Sequence, residues 1–414
     1  MLELADAQQR ILLAIEPLPP ETVFLDAARD RFAASTLLAS VALPSFDHSS
    51  MDGYAVLAAD TKGSVPLPVI AEQPAGLSRD LLLPPGAAIR IFTGAPMPAG
   101  ADAVIMQEDV EVTDCGVPNP EFPAASAPSH IVCREPVEPR ENVRFAGSDL
   151  CEGQRILSPG QKLHAARLAM LASQGLETID VHGLPRVAIV TTGDELQMPG
   201  QPLRPGQIYN SNGLMLQSLC ASLGIPPKQI NRLHLSDELE PTVEALKALV
   251  AQNDFVILSG GVSVGDHDYV KPALAKLKIT PDFWRIRVRP GKPLLFAQAT
   301  QSSGHLCYLF GLPGNPVSSY VTFTLLVRAA LLKASGATEE EWQTIEQSAE
   351  IVDPLSNRGE RPFYMFGYLE GGKFNTGPLQ QSHAIFGLSQ ANAMVCVNPG
   401  EQWEAGVIKP VMRL

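Results

Sequence analysis

Apolar positions along the chain fall into distinct textures. Leu4, Ile11, Leu12 and Ile15 recur near one helical face and predict a helix over 4–15. A second helical pattern, 25–32, follows the breaker Pro17-Leu18-Pro19-Pro20. From residue 43 to about 143 prolines and glycines become frequent. The apolar runs there shorten to 54–57, 67–71, 88–92 and 103–107, the texture of a small all-β domain with long loops. The proline-rich stretch 118–139 predicts an exposed connection. Helical spacing returns over 163–174, with Ala165, Leu168, Ala169 and Ala172 on a common face and Gly175 as its stop.

A regular alternation then begins. Strand 186–190, helix 214–223, strand 230–235, helix 238–252, strand 254–258 and helix 269–277 follow one another, with Ser236 and Asp237 as cap candidates for the second helix. Strands 283–289, 293–297 and 306–309 precede a helix over 317–334. Strand-helix alternation with short connections predicts a mostly parallel sheet covered on both faces. Beyond Gly336, the runs 363–369, 394–397 and 407–411 read as strands of a second small β domain.

Composition narrows the class. At 414 residues two to four domains are expected, and 45% hydrophobic with 18% charged residues marks a globular, soluble chain. A net charge of −13 argues against an extended nucleic-acid footprint while leaving room for a local basic pocket. No run of about 18 uncharged apolar residues predicts a membrane span, and the start MLELADAQQR lacks the basic-then-apolar order of a signal peptide. Cys115, Cys133, Cys151, Cys220, Cys307 and Cys396 are scattered without a C-x-x-C pair, which fits reduced thiols in a cytoplasmic protein better than zinc or a disulfide framework.

Three strand ends carry candidate chemistry. The apolar run 255–258 opens into Ser259-Gly260-Gly261, then Ser263, Gly265, Asp266 and Asp268. Bare backbone N–H groups at the carboxyl end of a buried strand suit an anion, and a bridging Mg²⁺ would let the acids share the site. Thr191-Thr192-Gly193-Asp194-Glu195 ends another strand; it is either a polar-ligand contact or a capped turn. Gly311-Leu312-Pro313-Gly314-Asn315-Pro316 is a rigid turn at a helix start, either structural or a pocket wall. Over 284–289, alternation puts Arg285, Arg287 and Arg289 on one face, with Lys292 past Pro290-Gly291. That face is either solvated or an oxyanion site. The Ser50-Met51-Asp52-Gly53-Tyr54 segment reads as an Asp-Gly turn entering a strand.

Taken in order, SSMDGYAV from Ser49, IFTGAPMPAGADAVIMQED from Ile91, ENVRFAGSDL from Glu141, TTGDELQMPG from Thr191, SGGVSVGDHDYVK from Ser259, PGKP from Pro290 and GLPGNPVS from Gly311 resemble the molybdopterin molybdenumtransferase family, the MoeA proteins and the gephyrin E domain. With QSHAIFGLSQAN near the carboxyl end, the resemblance covers nearly the whole chain. It implies a multidomain α/β plus β fold. Residues 1–48 with 141–182 would form an elongated helical linker domain for dimerisation, and 49–140 an inserted β domain. Residues 183–336 would form the molybdopterin-binding sheet domain and 345–414 a barrel-like β domain.

The resemblance also implies an enzyme that inserts molybdate into adenylylated molybdopterin with Mg²⁺-dependent release of AMP, acting as a homodimer with a shared cleft. Molybdopterin adenylyltransferase and molybdoenzyme-maturation proteins would be its partners. Substrate contacts carry over to Thr192, Gly193, Asp194, Ser259, Gly260, Gly261, Ser263, Lys271, Pro313, Asn315 and Pro316. Molybdate contacts carry over to Arg289, Lys292, Pro293, Arg361 and Ser382, and Mg²⁺ contacts to Asp266, Asp268 and Glu195. Asp52, Thr93, Asp149, Glu195 and Asp268 carry over as catalytic, the first three as the partner-subunit side of the cleft. Arg289 stands where many relatives carry lysine, which keeps the charge but forks its donors. The other readings are an adenylyltransferase-like enzyme, for which the flanking domains are superfluous, and a non-catalytic paralogue or scaffold of the gephyrin type.

Overall fold

A computed structural model describes residues 1–77, 79–113, 130–261, 269–377 and 379–414. It divides into two compact units, Met1–Ser35 with Ser158–Leu414, and Thr36–Leu157. Among the described residues, the first unit holds a six-stranded sheet built from β1 (Val187–Thr192), β2 (Ile230–Leu235), β3 (Phe255–Ser259), β4 (Pro281–Arg285), β5 (Pro293–Thr300) and β6 (Leu306–Leu312), in the order β2-β1-β3-β6-β5-β4. The first four strands of that order are parallel, whereas β5 and β4 run antiparallel at one edge.

Every residue of β1 and β3 is buried. A strand covered on both faces has no polar side to keep, which is why 255–258 reads as a continuous apolar run. The pleat still sorts its side chains. Val187, Ile189, Phe255, Ile257 and Phe310 pack with residues of helices Leu4–Ala14, Asn212–Ala221 and Pro316–Ala334. Ala188, Val190, Val256, Leu258 and Leu309 pack instead with helices Leu239–Gln252 and Val270–Lys276. The helix Pro316–Ala334 contains a π turn, Phe323–Val327. It is long and apolar enough to cross a membrane, yet it is mostly buried within this core, the position of an interior helix.

The strands Glu346–Ile351, Lys373–Thr376, Phe363–Glu370, Ala393–Val397 and Ile408–Arg413 close into a barrel. Alternation along Phe363–Glu370 turns Phe363 and Met365 into the barrel and Tyr364 and Phe366 onto the core beneath the sheet. In the second unit a mixed sheet runs Ala103–Met106, Gly53–Val56, Ala88–Ile91, Leu67–Gln73, His130–Cys133, Val110–Thr113. The strand His130–Cys133 falls where the sequence predicts only a connection; residues 118–129 and Cys115 lie outside the described residues.

Three local expectations change. Residues 25–32 do not form a helix. Thr22, Val23 and Phe24 belong to a strand, Pro20–Phe24, paired antiparallel with Thr178–His182, and only a 3-10 turn, Leu25–Ala27, follows. Asp30, at φ 62°, breaks any continuation. In the helix Ala165–Ser173 the buried side chain is Leu171, while Ala165, Ala169 and Ala172 face outward. Neither Ser236 nor Asp237 caps Leu239–Gln252; Glu238 holds that position without a side-chain bond.

Candidate functional site

The carboxyl ends of β1, β3 and β6 meet at one cavity of about 640 Å³. Thr191, Thr192 and Gly193 follow from β1, Ser259, Gly260 and Gly261 from β3, and Pro313, Gly314, Asn315 and Pro316 from the turn after β6. Glu195, Leu196, Asp237, Pro293 and His383 complete the wall with the segment 208–212. Ligands of open parallel sheets bind at such strand ends, because there backbone donors face outward with no further strand to satisfy.

Sequence chemistry explains the shape of this floor. Gly260 and Gly261 have φ of 95° and 63°, a region few side chains adopt. A Cβ on Gly260 would lie 2.9 Å from the Thr192 carbonyl oxygen, and one on Gly261 2.8 Å from Val270 Cγ2. The two strand-end turns therefore interlock only with glycine at both positions. The Gly260 N–H donates to the Leu312 carbonyl at 3.2 Å, tying β3 to β6.

Asparagines at the start of helix Asn212–Ala221 brace the wall. Asn212 Nδ2 donates to Ser259 Oγ at 2.9 Å and to the Gly314 carbonyl at 2.6 Å. Asn210 Nδ2 donates to Thr191 Oγ1 at 2.6 Å, while its Oδ1 accepts from the Gly213 N–H at 3.2 Å. Sequence reasoning passed over Tyr209-Asn210-Ser211-Asn212, although two asparagines immediately before a helical run are a local signal. Asp237 and His383 were missed as cavity residues as well.

The predicted substrate residues divide. Thr192, Gly193, Ser259, Gly260, Gly261, Pro313, Asn315 and Pro316 line the cavity. Asp194 does not; its Oδ1 accepts from the Asp237 N–H at 3.1 Å, supporting the approach to the next helix. Lys271 does not either, because its ammonium sits 4.0 Å from the centroid of the Trp284 ring. Ser263, Asp266 and Asp268 lie outside the described residues.

The predicted molybdate residues also divide. Pro293 lines the cavity, and Ser382 is one bond from it, its Oγ accepting from Asn315 Nδ2 at 3.1 Å. Arg289, Lys292 and Arg361 are not part of the described wall. Regular strand β4 ends at Arg285, but alternation continues: Ile286 and Val288 are fully buried and Arg287 and Arg289 point outward. The Arg289 guanidinium stacks 4.0 Å from the Phe363 ring centroid, and Arg361 Nη1 donates to the Val288 carbonyl at 2.9 Å. The two cations flank the junction between this segment and the barrel.

Asp52, Thr93 and Asp149 belong to the second unit. Asp52 Oδ1 accepts from the Thr93 amide at 2.7 Å and from its hydroxyl at 2.9 Å. Those two bonds, aided by the charge of Arg90, hold the Asp52 carboxyl below its ordinary pKa. Asp149 is exposed, its N–H donating to the Leu43 carbonyl. The described cysteines are free thiols, and burial pushes Cys220 and Cys307 up to about 12, which makes them packing groups rather than nucleophiles.

Mg²⁺ can be weighed against the donors present. Glu195 and Asp237 offer hard carboxylate oxygens at the cavity, the donor type Mg²⁺ takes when one or two carboxylates are joined by substrate phosphates. Among the described residues no group of three or more His, Cys, Asp or Glu forms a metal centre. The donor chemistry fits a cation shared with a ligand rather than an all-protein cage.

Comparison with known proteins places this geometry. Residues 2–175 match the MoeA N-terminal region (domain I and II), and residues 188–333 match a probable molybdopterin binding domain. A molybdopterin molybdenumtransferase of Nostoc sp. (strain PCC 7120) is 35% identical over 391 residues, 92% of this chain and 85% of the relative. One from Haemophilus influenzae is 36% identical over 346 residues, 83% of this chain and 80% of the relative. The crystal structure of a molybdopterin biosynthesis MoeA protein from Pyrococcus horikoshii superposes with a TM-score of 0.81 at 25% identity, covering 100% of both chains. With both family regions present in order and relatives matched over most of their length, the chain belongs to the molybdopterin molybdenumtransferase family.

Proposed function

We propose that this chain inserts molybdate into adenylylated molybdopterin and releases AMP, in a cytoplasmic homodimer laid out in the four domains that the family resemblance implies. The observation that carries the reading is the cavity across three parallel strand ends, with its interlocked Gly260-Gly261 turn and asparagine-braced Ser259. In this reading the β1 and β3 turns receive the phosphates, and the rigid Pro313–Pro316 turn keeps the opposite wall fixed while substrate enters. Asn212 holds the Ser259 hydroxyl in place, so the wall needs little reorganisation on binding.

Bound Mg²⁺ would neutralise charge that develops as the phosphoanhydride breaks, with Glu195, Asp266 and Asp268 as its candidate holders. Arg289 and Arg361 give an oxyanion-binding pair at the sheet–barrel junction, with Lys292, Pro293 and Ser382 leading from it toward the cavity. Asp52, Thr93 and Asp149 would reach the cleft from the partner subunit.

The test incubates purified protein with adenylylated molybdopterin, molybdate and Mg²⁺. Expected is AMP release together with a product that reconstitutes a molybdoenzyme apoprotein. Failure to bind the adenylylated substrate at high protein concentration would remove the reading.

A further inference from the structure

The described wall of the cavity is poor in side chains that could carry positive charge. It carries two acids, Glu195 and Asp237, and one side chain able to bear positive charge, His383. A phosphate brought onto the Gly260-Gly261 turn meets backbone dipoles and two carboxylates. Anion sites of this kind are completed by charge-assisted donors.

His383 is placed for that role by construction. It comes from the carboxyl-terminal region, in the segment before helix Ile385–Ser389. The turn after β6 holds that segment through two bonds: the Val317 N–H donates to the Ser382 carbonyl at 3.1 Å, and Asn315 Nδ2 donates to Ser382 Oγ at 3.1 Å. The clamp sets the backbone immediately before His383 against the cavity rim. Among the described residues the imidazole itself has no hydrogen bond or ion pair. A lone exposed histidine is ordinarily a solvated surface group. One whose preceding residue is clamped, and which lines a ligand-sized cavity that also carries two acids, is not well described that way.

We propose that His383 contacts substrate directly, donating from its imidazole to a phosphate oxygen of the nucleotide-bearing substrate seated on the Gly260-Gly261 turn. This rests on the functional reading above and adds to it a phosphate donor contributed from the carboxyl-terminal side of the cavity. Molybdate is also a tetrahedral oxyanion, so the test separates the two ligands.

AMP affinity is measured by calorimetry on the full-length protein, comparing wild type with His383→Leu and His383→Gln. The two replacements are similar in size, and only glutamine keeps an N–H donor. The leucine variant should bind AMP roughly tenfold or more weakly, the expected loss of a charge-assisted hydrogen bond, and the glutamine variant should recover part of it. Melting temperatures of both should match wild type. Equal AMP affinity in all three proteins overturns the proposal. So does an equal loss in both variants, or a defect confined to the molybdate requirement. If wild-type protein binds neither AMP nor adenylylated molybdopterin, the functional reading fails first and this proposal falls with it.

Discussion

Asp52 accepts two hydrogen bonds from one residue, and the stronger influence on its titration is the Thr93 amide rather than the hydroxyl. Thr93→Val removes the hydroxyl and leaves the amide in place. The Asp52 pKa should therefore rise only part of the way toward the ordinary carboxyl value of 3.8, read from carboxyl carbon chemical shifts across an acid titration. Because the folded value is depressed, the stabilisation is fully present above about pH 3.8 and is lost as pH falls through the lower folded value. A rise all the way to the ordinary value would show that the hydroxyl, not the amide, holds the charge. At this scale the sequence exposed the glycines and Ser259 because glycine-rich strand ends have a direct backbone meaning. It hid Asn212, His383 and Asp237, whose roles depend on neighbours more than 20 residues away in the chain. For Asp194 the sequence left ligand contact and a capped turn open, and its Oδ1 accepts from the Asp237 N–H at the approach to the next helix.

Gly53 shows how tightly an element can be packed at its first residue. The Asp-Gly turn enters a strand as the sequence suggests: a bend at Met51-Asp52 leads into Gly53–Val56, whose first residue pairs with both Ile91 and Met106. A Cβ there would sit 1.9 Å from the Ile105 carbonyl oxygen and 3.1 Å from Met106 Cα. Backbone cannot rotate aside as a long side chain can. Gly53→Ala should therefore destabilise the protein by about 2–3 kcal/mol, the range for overpacking against a fixed neighbour. Denaturant unfolding checks it, and a midpoint unchanged from wild type would mean that the sheet opens there at no cost. Elements were legible where periodicity was sustained, as in Leu239–Gln252 and the buried run of β3. Pro20–Phe24 was not, because its pairing with Thr178–His182 spans more than 150 residues and leaves no trace in local spacing. The barrel was legible only as separate strands, since closure depends on pairing between segments far apart in the chain.

Across the whole molecule, the described cavity wall comes entirely from the first unit, whereas Asp52 and Thr93 belong to the second. The proposed shared cleft requires each active site to combine a cavity from one subunit with the partner subunit's Asp52. That arrangement predicts complementation. Asp52→Asn should inactivate one chain and Glu195→Gln another, and each homodimer should be inactive. A mixed dimer, purified through two different affinity tags, pairs the intact cavity of the first variant with the intact Asp52 of the second. Its other site carries both defects. Molybdate-dependent AMP release should return to about half the wild-type rate per dimer, because one of two symmetry-related sites is complete. If every site were instead built within a single subunit, both sites of the mixed dimer would carry a defect and no activity would return. The magnitude separates these arrangements without requiring either variant to change stability, since both substitutions keep side-chain size and remove a charge.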